Sequence, residues 1–235
     1  AAREMLDALA IRAVQSAKNV GYPEDAGAVL LVEVEGLAEE AEEMAAAVEA
    51  ALWETGATQV RKADKAEDRE KLWTGRKGAI GALGTLAPNY YLVDGVVPRT
   101  KLPYVLKKVN QISQKYGLPI ANVFHAGDGN LHPCILFDER QPGAVEKVMQ
   151  AGGDILKVCV EVGGALSGEH GIGLEKKEYM PLVFTNADMQ AMERVRRAFA
   201  PSGLLNPGKV FPSGSEYDMV LQRRAIARAG AEAFI

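Results

Sequence analysis

Two short apolar runs, Leu118–Phe124 and Cys134–Phe137, flank a Gly-rich stretch that reads FHAGDGNLHP from Phe124 to Pro133. Runs of that length and composition favour strands, and a Gly-rich interval lets the chain fold back on itself. The simplest outcome is a hairpin with its loop at Ala126–Leu131 and with His125 and His132 opposite each other, pointing into one volume. Gly127 and Gly129 permit the tight turns this needs. The third and last histidine, His170, lies in a second dense turn, SGEHGIG at 167–173. Every histidine therefore sits in a Gly-rich turn with an acid, Asp128 or Glu169, close by. This is the pattern of a site.

Around the hairpin, helix and strand patterns alternate. Residues 1–20 carry apolar positions at Met5, Leu6, Leu9, Ile11, Val14 and Val20, a helix pattern ended by Gly21-Tyr22-Pro23. Ala28–Glu35 reads as a strand, Glu39–Trp53 as a helix followed by Gly56, and Thr58–Arg61 as a short strand. Helical spacing returns over Glu67–Leu83, where Gly75, Gly78, Gly81 and Gly84 suggest close approach of another backbone or a ligand. Tyr90–Val97 is a strand kinked at Asp94-Gly95, and Lys101–Tyr116 is a helix ended by Gly117. Pro142–Val162 and Ala187–Phe199 are further helices, with a short strand at Ala165-Leu166 between them. Leu204–Pro212 is extended, and Glu216–Ala233 forms a helical tail. The order implies an α+β fold, a ferredoxin-like antiparallel sheet covered by helices.

Composition narrows the function classes. The chain of 235 residues is long enough to bury a real core, and its net charge of −4 with no basic face argues against a nucleic-acid partner. Its apolar runs are too short to span a bilayer, so no transmembrane segment is expected. The two cysteines, Cys134 and Cys159, lack metal-type spacing and read as reduced core residues of a cytoplasmic protein.

The chemistry-bearing residues suggest a metal centre. Two neutral imidazoles, His125 and His132, with the carboxylate of Glu169 are a ligand set for a catalytic zinc or another divalent transition ion. The plainer alternative is that Asp-Gly-Asn is merely a turn which the histidines cap. His170 adjoins Glu169, so the two do not share one ion from an extended segment. With Glu169 as ligand, His170 is free to act as a general base. Arg76, on the glycine-punctuated helix, can hold a substrate carboxylate through two parallel hydrogen bonds. Lys209, in Asn206-Pro207-Gly208-Lys209, has a chain-exit turn as its default reading.

These stretches also carry a resemblance. WTGRKGA at 73–79, PNYYLVDGVVPR at 88–99, NVFHAGDGNLHP at 122–133, SGEHGIGLEKK at 167–177 and LLNPGKVFP at 204–212 resemble the C-terminal half of FAD-linked oxidases of the vanillyl-alcohol-oxidase type. The branch most similar to the chain is that of glycolate oxidase D subunits and D-lactate dehydrogenases. The resemblance implies a ferredoxin-like cap over the substrate side of the isoalloxazine, with FAD held mainly by a separate N-terminal domain. It implies three segments here: 1–26 as a helix continuing from an absent FAD-binding domain, 27–212 as the cap and substrate domain, and 213–235 as the tail. Carried over by position, it makes His125, His132 and Glu169 metal ligands for zinc, manganese or iron, His170 the base, and Arg76 the carboxylate anchor. Asn206 and Lys209 would lie near the flavin. The implied reaction is oxidation of a small D-2-hydroxy acid, glycolate or D-lactate, to the 2-oxo acid. Cys134 stands where relatives acting on a dicarboxylate carry a polar residue. The chain alone would be an inactive piece of that enzyme, partnered by an FAD-binding domain or subunit, with homodimer and hetero-oligomer both open. A stand-alone metal- and acid-binding module without redox activity is the alternative.

Overall fold

The chain opens on a strand rather than the helix its Ala-, Leu- and Met-rich start suggests. The computed structural model describes residues 2–63 and 65–214. In chain order the elements are β1 (Ala2–Asp7), α1 (Ala8–Ala17), β2 (Ala28–Glu33), α2 (Ala38–Glu54), α3 (Ala66–Ala82), β3 (Asn89–Leu92) and β4 (Gly95–Val96). There follow α4 (Leu102–Tyr116), β5 (Ile120–His125), β6 (Asn130–Leu131), β7 (Pro133–Phe137), α5 (Ala144–Glu161) and α6 (Asn186–Phe199). The α+β class and the antiparallel, helix-covered sheet are as the sequence implies.

Helix propensity at residues 2–7 loses to tertiary pairing. β1 lies between β2 and β5, antiparallel to both, so its backbone groups are satisfied on two sides. Asp7 marks the change of element: its side chain caps α1 by accepting from the Ala10 N–H and also accepts from the main chain and side chain of Asn122. β1 and β2, on either side of residue 26, pair in one sheet. The short strand expected at Thr58–Arg61 is irregular chain. Of the expected tail, residues 215–235 lie outside the described residues.

Seven strands make one sheet in which β5 pairs with β1 on one side and with β6 and β7 on the other, and β4 and β3 pair with β6 and β7. Successive side chains of β5 go to opposite faces. Ile120 and Phe124 join Val105, Val109, Ile155 and Leu156 of α4 and α5 in one core. Ala121 and Val123 join Ile11, Val14, Ala79 and Leu83 of the α1 and α3 side in the other. A helical layer on each face buries both cores. Of the glycines on α3, Gly75 has a clear packing role: a Cβ there would meet the Tyr22 ring at 2.6–2.8 Å. Gly81 and Gly84 face open space.

Candidate active site

The hairpin turns more tightly than the sequence suggests. His125 pairs with Asn130, leaving 126–129 as the loop, and the His125 carbonyl accepts from the N–H groups of Asp128 and Gly129. Gly129 has φ +73°, and a Cβ there would sit 2.1 Å from the Val97 carbonyl oxygen, so this position needs glycine twice over. The two histidines are therefore not opposite each other. Continuing the β5–β7 register puts His132 across from Val123, one step diagonal from His125 and on the same face. Their rings meet edge to face with centroids 5.2 Å apart. The corrected register still brings the pair together.

Each histidine has a buried carboxylate on the next strand outward. Glu4 of β1 is the register partner of His125, and its Oε1 lies 2.8 Å from His125 Nδ1. Asp94 sits between β3 and β4, where the continued register faces it to His132, and its Oδ1 lies 3.6 Å from His132 Nε2. Each carboxylate is matched by a base. Arg76 of α3 donates to Glu4 Oε2 from Nε at 2.9 Å, and its Nη2 lies 2.7 Å from the same oxygen. Lys176 Nζ donates to Asp94 Oδ2 at 2.8 Å and to the Asp94 carbonyl at 2.7 Å.

Asp94 also shapes the loop that supplies the remaining site groups. Its carboxylate accepts from Ser167 Oγ at 2.6 Å and from the N–H groups of Gly168 and His170 at 3.0 and 3.1 Å. A bridge between Val96 and Ala165 ties the loop entry to β4. Burial alone would raise the Asp94 carboxyl. Contact with His132 and the bonds from Lys176, Ser167 and Gly168 outweigh it and hold the group well below the usual carboxylate range. Asp94 is an anion fixed at the centre of the loop.

The outcome is a convergence of ligand-type atoms. Nitrogens of His125 and His132 and an oxygen of Glu169 all lie within 4.8 Å of one another. Glu169 Oε1 is 3.1 Å from His132 Nε2 and 3.8 Å from His125 Nε2. His170 stacks on His132 at 5.2 Å, with its Nε2 3.5 Å from the same Glu169 oxygen. His132 Nε2 is buried and has no hydrogen-bond partner. Two carboxylate oxygens face that nitrogen, Glu169 Oε1 at 3.1 Å and Asp94 Oδ1 at 3.6 Å, the anionic surroundings that suit a cation. The donor set fits a divalent transition ion with positions left open.

The other expected residues divide. Arg76 stands beside His125 through Glu4, which occupies its Nε–Nη2 side. Asn206 and Lys209 are bound to each other, Lys209 Nζ to Asn206 Oδ1 at 3.1 Å, in a turn whose carbonyls Arg196 gathers. Val210 N–H donates to the Gly173 carbonyl, so that turn is tied to the end of the histidine loop. Among the described residues, no hydrogen bond links Asn206 or Lys209 to the histidine cluster. Sequence reasoning missed Glu4, Asp94 and Lys176. The signal for Asp94 was a lone acid inside the apolar run YYLVDGVV. Glu4 was hidden by the helix reading of β1.

Comparison with known proteins places the chain. Residues 1–210 match the family of FAD linked oxidases, C-terminal domain. The chain belongs to this family. It is 48% identical over 210 residues to the glycolate oxidase subunit GlcD of Escherichia coli K12, covering 89% of this chain and 42% of that protein. It is 35% identical to the Bacillus subtilis GlcD, covering 94% and 47% of the two chains. The mitochondrial D-lactate dehydrogenase [cytochrome] of Arabidopsis thaliana is 26% identical, with 89% and 37% covered. This FAD-linked oxidase domain thus spans less than half the length of these relatives. In fold it is similar to 4-ethylphenol oxidase from Gulosibacter chungangensis, with a TM-score of 0.57 at 14% identity over 90% of this chain and 48% of that one. No helix of the FAD-linked oxidase domain is, among the described residues, long and apolar enough to cross a membrane.

Proposed function

We propose that this FAD-linked oxidase domain is the substrate side of an oxidoreductase that converts a small D-2-hydroxy acid, glycolate or D-lactate, to the 2-oxo acid. The observation that carries the reading is the convergence of the buried His132 Nε2 with Glu169 and His125, beside Arg76, whose bonds to Glu4 leave Nη1 unused. The names of the similar proteins, glycolate oxidase subunit and D-lactate dehydrogenase, supply the substrate class.

In this reading Arg76 binds the substrate carboxylate through Nη1 as a charge-assisted contact, in place of the two parallel hydrogen bonds expected, because Glu4 takes its Nε–Nη2 side. His125, His132 and Glu169 would hold a divalent ion, zinc, manganese or iron, which when bound supplies Lewis-acid polarisation of the substrate hydroxyl. His170 takes the hydroxyl proton on its imidazole, which its stacking on His132 and its backbone bond to Asp94 keep beside the cluster. The flavin supplies the hydride acceptor, held by a further domain or subunit, with the exposed Asn206–Lys209 turn toward it.

The test has two arms. Metal analysis of the purified chain should find about one equivalent of zinc, manganese or iron, lost in His132→Ala and in Glu169→Ala; a parent chain that takes up none of the three sinks the ion. The whole protein, loaded with flavin, should bleach on adding glycolate or D-lactate under anaerobic conditions. No bleaching with either acid sinks the substrate assignment.

A further inference from the structure

Glu4 is nearly buried, at 7% exposure, and both its oxygens are used. A carboxylate in that setting needs partners for each oxygen, and it has them: His125 Nδ1 on Oε1 and the Arg76 guanidinium on Oε2. Those partners are the residues assigned above to opposite ends of the substrate, an ion ligand and the carboxylate anchor. We infer that Glu4 is a positioning residue that serves both ends at once, fixing the His125 tautomer and holding Arg76 at a set distance from it. The inference rests on the reading proposed above for the site.

The tautomer follows from the chemistry of the partners. An ionised carboxylate only accepts, so the Nδ1 at 2.8 Å must carry the proton. The other nitrogen, Nε2, is then a bare lone pair, and it is the one that faces Glu169. Ligation needs that lone pair, and a partner on the remote nitrogen of a ligating histidine also fixes the ring. The placement is built into the fold. Glu4 and His125 are register partners on adjacent strands, so their side chains rise side by side from one face. Arg76 comes from the helix packed over that face.

Replacing Glu4 by glutamine makes the argument testable. The guanidinium has only donors, so the carboxamide oxygen must turn to Arg76 and the amide NH2 to His125. Nδ1 then accepts, and the proton moves to Nε2, the wrong nitrogen for binding an ion. The experiment uses the full chain at pH 8.5, metal-free, with the histidine nitrogens read by long-range proton–nitrogen correlation and zinc affinity read by calorimetry. The parent should show His125 protonated on Nδ1. Glu4→Gln should show it protonated on Nε2, with zinc bound about 10–100-fold more weakly. The neutral side chain leaves the Arg76 charge uncompensated, so the thermal midpoint falls and both proteins are compared well below it. A parent with His125 protonated on Nε2 overturns the inference without any variant, so misfolding of Glu4→Gln cannot shield it. Equal tautomers and equal affinity in the two proteins overturn it while leaving the ion site intact. A parent that binds no zinc overturns the ion-site reading, and the tautomer comparison still decides the part assigned to Glu4.

Discussion

Lys176 donates through Nζ to both the carbonyl and the carboxylate of Asp94, at 2.7 and 2.8 Å, with the two residues 2% and 0% exposed. This ion pair lies beneath the turn that presents Glu169 and His170, and it leaves Asp94 as the common acceptor for that turn.

Lys176→Met should therefore be costly. Breaking a buried pair by removing one partner leaves the other charge uncompensated, at about 3–5 kcal/mol. Urea unfolding of the chain is the check, with Asp94→Asn/Lys176→Met recovering part of the loss. A Lys176→Met chain as stable as the parent would show that the N–H groups of the loop hold the Asp94 charge without the lysine.

His170→Ala in the whole flavin-loaded protein should lower kcat by about 10²–10⁴, the usual contribution of a general base. Metal content should stay at the parent level, because the convergent ligand atoms belong to His125, His132 and Glu169. Steady-state kinetics beside metal analysis separates the two roles. Loss of metal together with activity would move His170 from the base to the ligand set.

A pH effect arises far from the site, where α4 meets α5. Burial raises the Asp154 carboxyl somewhat, but hydrogen bonds from Lys115 Nζ and the Tyr116 hydroxyl outweigh it and leave the group below its ordinary value. A depressed carboxylate stabilises the fold above its unfolded value of about 3.9, and that contribution fades as pH falls through the folded value. Asp154→Asn should lower the thermal midpoint at pH 7 by an amount worth under about 1 kcal/mol, since the pair is partly solvated. The gap between variant and parent should narrow below about pH 4. A gap that is constant down to acid pH would assign the loss to packing instead.

Much of this was legible in the sequence because it was local. The histidine turns announce themselves through Gly127, Gly129 and the repeated pairing of histidine with acid, and α4 carries its stop signal in Gly117. What escaped was set by pairing at a distance. Residues 2–7 have the propensity of a helix, and only β2 and β5 make them a strand. With β1 misread, Glu4 had no face, and its tie to His125 could not be seen. The register error at the hairpin has the same origin, since the tight turn is closed by the N–H groups of Asp128 and Gly129 returning to His125 and by Val97 N–H donating to the Gly129 carbonyl. Lys176 looked like one more charge in a polar stretch, because burial cannot be read from a lysine's neighbours in sequence.

The Glu4–His125 bond joins positions separated by 121 residues. Contacts of that span are entropically late in folding, because the intervening chain must already be confined before its ends can meet. The His125 ring is thus held by Glu4 only when β1 has docked onto the hairpin. A ligand that needs the ring so held binds the finished fold and stabilises it by mass action. During synthesis β1 emerges well before the second histidine turn, so the order of synthesis and the order of assembly run separately for this site.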